Sequence, residues 1–451
     1  MPQPNGGASD HLNLLSDLIA KAKRAGADAA DAVVFDGISL DVSYRTGKPE
    51  DLQRSEGRDL GLRAFVGKRQ AFVSSNDFSG PALDELVERV VAMARTAPED
   101  PNCGLADQAL LCKTIADLDL DDANEPDAQA LYDQAAAAEA SALTVEGVTL
   151  SEEAGASWSR ARIALATSHG FAGSYATSTH GFYASVVAGS GTTMERDYEH
   201  STARHAEDLD DPRSVGRKAG ESAVARLNPK KVATQQVPVV FDPRVSRSML
   251  GHFAGAISGA AVARGTSFLK DRMGEQVFTD GLRIVDDPHR HRGLASKPFD
   301  GEGVANRKTV LIENGRLETW LLDSSSARQL GLATTGHASR GTAGPPSPST
   351  SNLYLEAGSL SPDELIGEIP AGLYVTELIG FGVNGVTGDY SRGAAGFWIE
   401  NGKKAYPVSE LTIAGNLNDM FRAMTPANDL EFRYGSNAPT LRIDGMTVAG
   451  T

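Results

Sequence analysis

Apolar residues in the first half of the chain recur with two different periods. Spacings of three and four residues predict amphipathic helices from Leu12 onward and from about Ser79, where Pro81 suits a first helical turn. The alanine-rich segment DAQALYDQAAAAEASAL predicts another helix. Between these helices, AVVFDGISLDVSYRTG alternates as a strand does, and GLRAFVGKRQAFVSSND predicts two short strands around a glycine turn. Residues 1–230 are therefore predicted to form an α+β domain.

The pattern changes after NPKK (228–231), where we place the domain boundary. Residues 235–451 show short extended segments separated by glycine turns, apart from one helix at about 244–264. Asn-Gly pairs at 314–315 and 401–402 predict type I′ hairpin tips with positive φ. The second domain is thus predicted to be mostly antiparallel β, with one buried helix around His252.

Charge and cysteine content narrow the functional classes. The chain has 451 residues and a formal net charge of −16, which argues against direct nucleic-acid binding because phosphate contacts need clustered Lys and Arg. Only Cys103 and Cys112 occur, in no metal-binding spacing, which favours a reducing compartment. No apolar run approaches 18 residues and no signal-peptide pattern opens the chain. We therefore expect a cytoplasmic protein without a membrane partner.

The histidines do not form a recognised zinc motif. No H-E-x-x-H is present among the nine histidines. His289 and His291 could face one side of a strand, but the preceding Asp-Asp-Pro indicates a turn and the neighbouring arginines would repel a cation. His252 lies in a helix rich in small residues, so we interpret it as a structural histidine with its hydrogen bonds satisfied.

A glycine-dense segment, Leu378–Gly402, concentrates polar side chains at its centre. Backbone rich in glycine can approach a ligand closely, which would suit a binding site. Tight turns in a β-domain would explain the high glycine content equally well. The segment and the His252 helix together supply our candidates for a substrate groove or an interface, which are His252, Gly255, Ser258, Asp389, Tyr390, Ser391 and Arg392.

Several segments together closely resemble the PmbA/TldE branch of the TldD/PmbA family, also called modulators of DNA gyrase. They are GHFAGAISG, GLASKPFDGEGV, SSSARQLGLATTGHASRGTAGPPSPS, VTGDYSRGAAGFWIENG, YPVSELTIAGNLNDM and the N-terminal YRTGKPEDLQRSEGRDLGLRAFVGKRQAFVSSND. The resemblance covers nearly the whole chain. It implies an N-terminal α+β domain and a C-terminal domain of pseudo-barrel character.

The resemblance also implies that two homologous chains have different roles, only one of which involves zinc. In this family a TldD-type chain holds zinc on two histidines of an H-E-x-x-x-H helix and on a C-terminal cysteine, with the glutamate as general base. Here Phe253 follows His252, Ala256 and Ile257 stand four and five residues after it, and the tail contains no cysteine. These departures are those of the PmbA/TldE branch.

We therefore expect a non-catalytic, metal-free subunit of a heteromeric TldD–TldE-like zinc metallopeptidase that takes part in proteolysis of unfolded peptides. Zinc is expected in the TldD-type partner and no cofactor in this chain. Two alternatives stay open: a self-sufficient metal-dependent hydrolase using His289 and His291, and a peptide-binding adaptor that acts without a catalytic partner.

Overall fold

An antiparallel sheet of six strands dominates the first half of the protein, in a computed structural model that describes residues 8–450. The strands are β1 (Ala29–Arg45), β2 (Lys48–Val66), β3 (Arg69–Ser75), β4 (Val148–Thr167), β5 (Ala172–Ala188) and β6 (Glu195–Ala203). Their spatial order is β3-β2-β1-β4-β5-β6, and every neighbouring pair is antiparallel. Most connections between sequential strands are therefore hairpins.

Four helices cover one face of this sheet. They are α1 (Ala8–Arg24), α2 (Gly80–Thr96), α3 (Ala128–Leu143) and α4 (Pro212–Ala225). Ser79 is the N-cap of α2 and a proline stands in its first turn, as the sequence predicts. Alternate residues of β1, including Ala30, Val34 and Val42, are buried in the two apolar clusters formed with these helices.

The second strand is much longer than its apolar pattern predicts. GLRAFVGKRQAFVSSND was expected to contain two short strands, but β2 has 19 residues and its first twelve side chains are exposed. That polar part pairs with β1 from Arg45–Lys48 onward. Backbone hydrogen bonds to β1 keep this part of β2 extended. Because these bonds do not require apolar side chains, the sequence shows no alternating pattern that would predict the strand here.

A closed barrel of five strands forms the centre of the second half. The strands of this half are β7 (Gln235–Phe241), β8 (Ile284–Asp286), β9 (Thr309–Glu313), β10 (Arg316–Leu317), β11 (Ala338–Ser339), β12 (Ser347–Pro348), β13 (Leu353–Leu355), β14 (Ala371–Ile379), β15 (Asp389–Glu400), β16 (Lys403–Asn416), β17 (Met424–Pro426), β18 (Ser436–Asn437) and β19 (Leu441–Ala449). The order β16-β15-β14-β7-β19 closes because β19 also pairs with β16. Only β7 and β14 run parallel within this ring, which confirms a mostly antiparallel, barrel-like second half.

Short helices accompany the barrel. They are α5 (Pro243–Ala256), α6 (Gly259–Ala263), α7 (Ser324–Leu330), α8 (Pro362–Gly367) and α9 (Leu417–Arg422). The helix expected at about 244–264 is therefore two helices. The backbone N–H of Gly259 donates to the carbonyl of Leu321 at 2.8 Å, and Ser258 bridges to the same residue, which ends α5. Helix α5 buries Met249, Leu250 and Phe253 on one side.

Both predicted hairpin tips are confirmed. Asn314 and Gly315 have φ of 49° and 76°, and Asn401 and Gly402 have φ of 48° and 74°. Asparagine and glycine adopt these left-handed values at little cost, which is why such a pair specifies the turn locally. None of the helices within residues 8–450 has the length and apolar character needed to cross a membrane.

Candidate functional site

Two of the candidate side chains meet edge to face between α5 and β15. The rings of His252 and Tyr390 have centroids 5.8 Å apart and planes inclined by 77°. Tyr390 is 2% exposed. Neither Nε2 of His252 nor the Tyr390 hydroxyl has a hydrogen-bond partner among residues 8–450. The interpretation of His252 as a satisfied structural histidine is therefore wrong for this nitrogen.

Arg392 lies two residues beyond Tyr390, on the same side of β15. Its guanidinium carbon is 6.0 Å from the ring centroid of Phe381, and its Nε lacks a partner within the described chain. Desolvation, and then the positive charge of Arg392, lower the pKa of His252. The imidazole is consequently neutral at physiological pH.

Arg392 lines an open groove of about 570 Å³ between the two halves of the protein, which we call the arginine groove. Strand β6 and the end of α4 form one wall, and α5, β14 and β15 form the other. Its lining residues are Arg196, Asp197, Tyr198, Arg226, Arg244, Val245, Arg247, Ser248, Gly251, Thr376, Glu377, Leu378, Arg392 and Ser436.

Ion pairs neutralise only part of the groove. Asp197 accepts two hydrogen bonds from Arg244, at 2.8 and 2.9 Å, and also contacts Arg226. Arg226 pairs in addition with Glu377. Arg247 lies 4.2 Å from the ring centroid of Tyr434 and, within residues 8–450, has no carboxylate partner. Arg392 likewise has none in that range, so two positive charges remain uncompensated.

The groove arginines on α5 were not among the sequence candidates. Arg244 and Arg247 stand three residues apart at the start of this helix, a spacing that places both side chains on one face. That spacing is the sequence feature that could have identified the two arginines as a pair on one helix face. It does not reveal which of the two is neutralised, because Asp197 comes from the other half of the chain.

Asp389 and Ser391 do not join the His252 site. The carboxylate of Asp389 accepts hydrogen bonds from the Thr387 hydroxyl at 2.6 Å and the Asn416 amide at 3.1 Å, on the exposed edge of the barrel. Ser391 is also exposed, as expected for residues that alternate with Tyr390 along β15.

The two small candidates lie at the end of α5. Gly255 is exposed on the turn after His252. Ser258 is the N-cap of α6 and takes part in the bridge to Leu321. Gly255 therefore lies on the helix that carries His252, Ser258 lies just beyond its end, and neither lines the arginine groove.

His289 and His291 do not form a shared site. Residues 287–291 make a turn rather than a strand, so the expected alternation is absent. Nε2 of His289 is 2.7 Å from the side-chain oxygen of Asn306. His291 is 71% exposed and lies 3.7 Å from Asp119. The two imidazoles thus have different neighbours.

The side chains around His252 do not fit a zinc centre. A catalytic zinc needs about three protein ligands of the His, Cys or carboxylate type. Phe253 and Ile257, one and five residues after His252, stand where the family's H-E-x-x-x-H motif has its glutamate and its second histidine. Across residues 8–450, no three His, Cys, Asp or Glu side chains are grouped so as to hold a metal ion.

A second group of buried charges lies between the sheet and the C-terminal half. Asp300 and Glu302 are 1% and 4% exposed. Asp300 accepts backbone hydrogen bonds from Glu302 at 2.9 Å and Val304 at 2.8 Å, and Glu302 accepts one from Ser324 at 2.9 Å. Burial raises the pKa of both carboxyls, and the neighbouring Asp300 charge raises that of Glu302 further.

These raised pKa values predict a loss of stability toward neutral pH. The folded state holds protons that the unfolded chain releases at about pH 4, so the free energy of unfolding falls as pH rises through the raised pKa values. Glu302→Gln should therefore stabilise the protein at pH 8 by roughly 1–3 kcal/mol and change it little at pH 4. Urea unfolding at both values measures this. Glu88→Gln, at an exposed position of α2, is the control; equal effects of the two variants would contradict the assignment.

Comparison with known families matches almost the whole chain. Family models described as PmbA/TldA metallopeptidase domain 1, central domain and C-terminal domain match residues 30–94, 115–227 and 234–450. A relative from Escherichia coli O157:H7, named metalloprotease PmbA, is 38% identical over 94% of this chain and 92% of its own length.

Solved structures share the fold. A crystal structure from Bacteroides thetaiotaomicron, whose name refers to a modulator of DNA gyrase, has a TM-score of 0.90 at 26% identity and covers 98% of this chain and 99% of its own. TldE from Thermococcus kodakarensis has a TM-score of 0.86 at 20% identity and covers 97% and 100%. At that identity the second likeness concerns the fold alone.

Proposed function

Because the chain belongs to the PmbA/TldD family of metallopeptidases, we propose that it is the non-catalytic, metal-free subunit of a heteromeric zinc metallopeptidase. In this proposal a TldD-type chain supplies zinc and the general base, and the two subunits together degrade unfolded peptides in the cytoplasm. The present chain shapes the substrate chamber and binds peptide. It does not contact nucleic acid directly.

The composition of α5 carries the proposal. A zinc peptidase needs a carboxylate that activates the metal-bound water in addition to its ligands. On this helix His252 is followed by Phe253, which is 0% exposed and belongs to the apolar core. A glutamate at that position would be buried without a partner, so the local packing also supports a structural role for the helix.

An exposed apolar surface supports a partner subunit. The connection between β14 and β15 and its flanks expose Ile379, Phe381 and Val386, at 58%, 97% and 55%. We call these three residues the apolar tip. Phe381 also lies beside Arg392, at the border of the arginine groove. Large apolar side chains that are this exposed are typical of contact sites, so we place the partner here.

Co-purification tests the assembly. The chain and a tagged TldD-type homologue, co-expressed, should elute together, because a stable complex buries at least about 1,200 Å². Phe381→Asp should weaken the association by about tenfold or more, since it places a charge in a desolvated contact. Met93→Asp, at a 45% exposed position on α2, is the matched control. A chain that stays monomeric beside the homologue would refute the proposal.

A further inference from the structure

The arginine groove is positively charged, although the protein as a whole is acidic. The whole chain has a formal net charge of −16, yet this groove is lined by five arginines against two carboxylates. Both carboxylates, Asp197 and Glu377, are engaged by Arg226 and Arg244. A local positive surface on an acidic protein attracts anions while the rest of the molecule repels them.

The two uncompensated arginines are held in place. Arg247 stacks at 4.2 Å from the centroid of Tyr434, which limits the freedom of its long side chain. Arg392 is half-buried at the junction of the groove and the His252–Tyr390 pair. Its Nε has no hydrogen-bond partner within residues 8–450, although a buried guanidinium nitrogen normally has one.

Three neighbouring side chains each have one polar atom without a hydrogen-bond partner in the described chain. These atoms are Nε of Arg392, Nε2 of His252 and the hydroxyl of Tyr390. A buried polar group without a partner is unfavourable, because it has lost its hydrogen bonds to water and gained none in the protein. A ligand that accepts hydrogen bonds from the arginine would remove part of that unfavourable free energy, and none of the protein's own carboxylates within residues 8–450 does so.

We propose that the arginine groove is a carboxylate-binding site, in which Arg392 and Arg247 bind a carboxylate of an unfolded peptide. This inference rests on the proposed function, because it specifies which peptides the subunit receives. Arginine suits the role because its planar fork matches the two oxygens of a carboxylate. The apolar tip beside Arg392 puts the groove next to the proposed partner face, so a peptide held there lies close to the catalytic chain.

A peptide carboxylate fits this groove better than a polyanion does. Arg196, Arg226 and Arg244 are already paired with carboxylates, so only Arg247 and Arg392 are free to bind an anion, which is too few for a run of phosphates. A single carboxylate needs only the two free guanidiniums. The source is either the C-terminus of a peptide or an Asp or Glu side chain, and the chemistry at the arginines is the same.

Binding by the full-length chain, without its partner, tests the proposal. The probes are three dodecapeptides of otherwise neutral sequence, labelled with an uncharged fluorophore that has no carboxylate: one with a free C-terminal carboxylate, one amidated, and one amidated with a central Glu. Fluorescence anisotropy should show binding of at least one carboxylate-bearing peptide, and the amidated neutral peptide should bind at least about tenfold more weakly. Whichever carboxylate peptide binds identifies the source.

Variants locate the site. Arg392→Gln and Arg247→Gln should each weaken binding of that peptide by about tenfold or more. Arg69→Gln is the matched control, since Arg69 lies on β3 outside the groove, is 39% exposed and pairs with Glu99 at 3.0 Å; its effect should stay within about twofold. Equal binding of all three peptides, or equal loss in all three variants, would overturn the proposal. A failure of the mixed subunits to cleave peptides would refute the proposed function and leave this binding result standing.

Discussion

Purified alone, the chain is expected to contain no stoichiometric zinc and to leave unstructured peptides uncut, while its mixture with a TldD-type homologue cleaves them. The reason is the donor count. His252 lacks the glutamate and the second histidine of the family's zinc helix, and no cysteine occurs after residue 112. Without metal and base, the isolated chain lacks both parts of the water-activating machinery, which together contribute many orders of magnitude to the rate.

Metal analysis and peptide cleavage, on each chain and on the mixture, measure this outcome. Replacing His252, His289 or His291 with Ala should leave the zinc content of the mixture unchanged, because the ligands belong to the other chain. Replacing the motif glutamate of the TldD-type chain with Gln is the positive control and should abolish cleavage. If any of the three histidine variants strips zinc from the complex, this chain is not the non-catalytic subunit.

Asp31→Ala should destabilise the protein by about 3–5 kcal/mol. Asp31 is 1% exposed and accepts hydrogen bonds from Arg340 at 2.6 Å and from Arg63. Because Arg340 belongs to the C-terminal half, the carboxylate joins the first sheet to the second half. Its removal leaves two buried guanidiniums facing each other, and the cost of an uncompensated buried charge far exceeds that of a lost surface pair.

Urea unfolding measures the effect, with Asp84→Ala as the matched control. Asp84 pairs with Lys21 at 2.5 Å, but both side chains are exposed, so its loss should cost at most about 1 kcal/mol. Replacing Asp31, Arg63 and Arg340 together with Leu, Met and Met should restore much of the stability, because no buried charge is then left alone. Similar losses in the two single variants would show that the buried network is not important for stability.

The candidate site could be predicted only in part from the sequence. The helix of His252 and the Gly-rich strand with Tyr390 and Arg392 were both identified from the sequence, and the structure brings these three side chains together. Asp389 and Ser391 were grouped with them only because they are neighbours in sequence. Strand alternation sends them to the other side, which a sequence can indicate only once the strand register is known.

Features that depend on a few neighbouring residues can be predicted from the amino-acid sequence alone. The Asn-Gly tips form because those two residues accept positive φ, and α2 begins where Ser79 and a first-turn proline favour a helix start. The family resemblance, confirmed by matches over residues 30–94, 115–227 and 234–450, likewise depends on local motifs. Such features have a single dominant local cause.

Features that depend on contacts between distant segments became visible only in the folded protein. Leu321 ends α5 by hydrogen bonding to Gly259, and the pairing of β16 with β19 closes the barrel. The same holds for the free charges of the arginine groove. Arg244 is neutralised and Arg247 is not, although they lie three residues apart, because Asp197 reaches only one of them from β6. These interactions depend on which residues are close in space, and that cannot be deduced from their spacing along the chain.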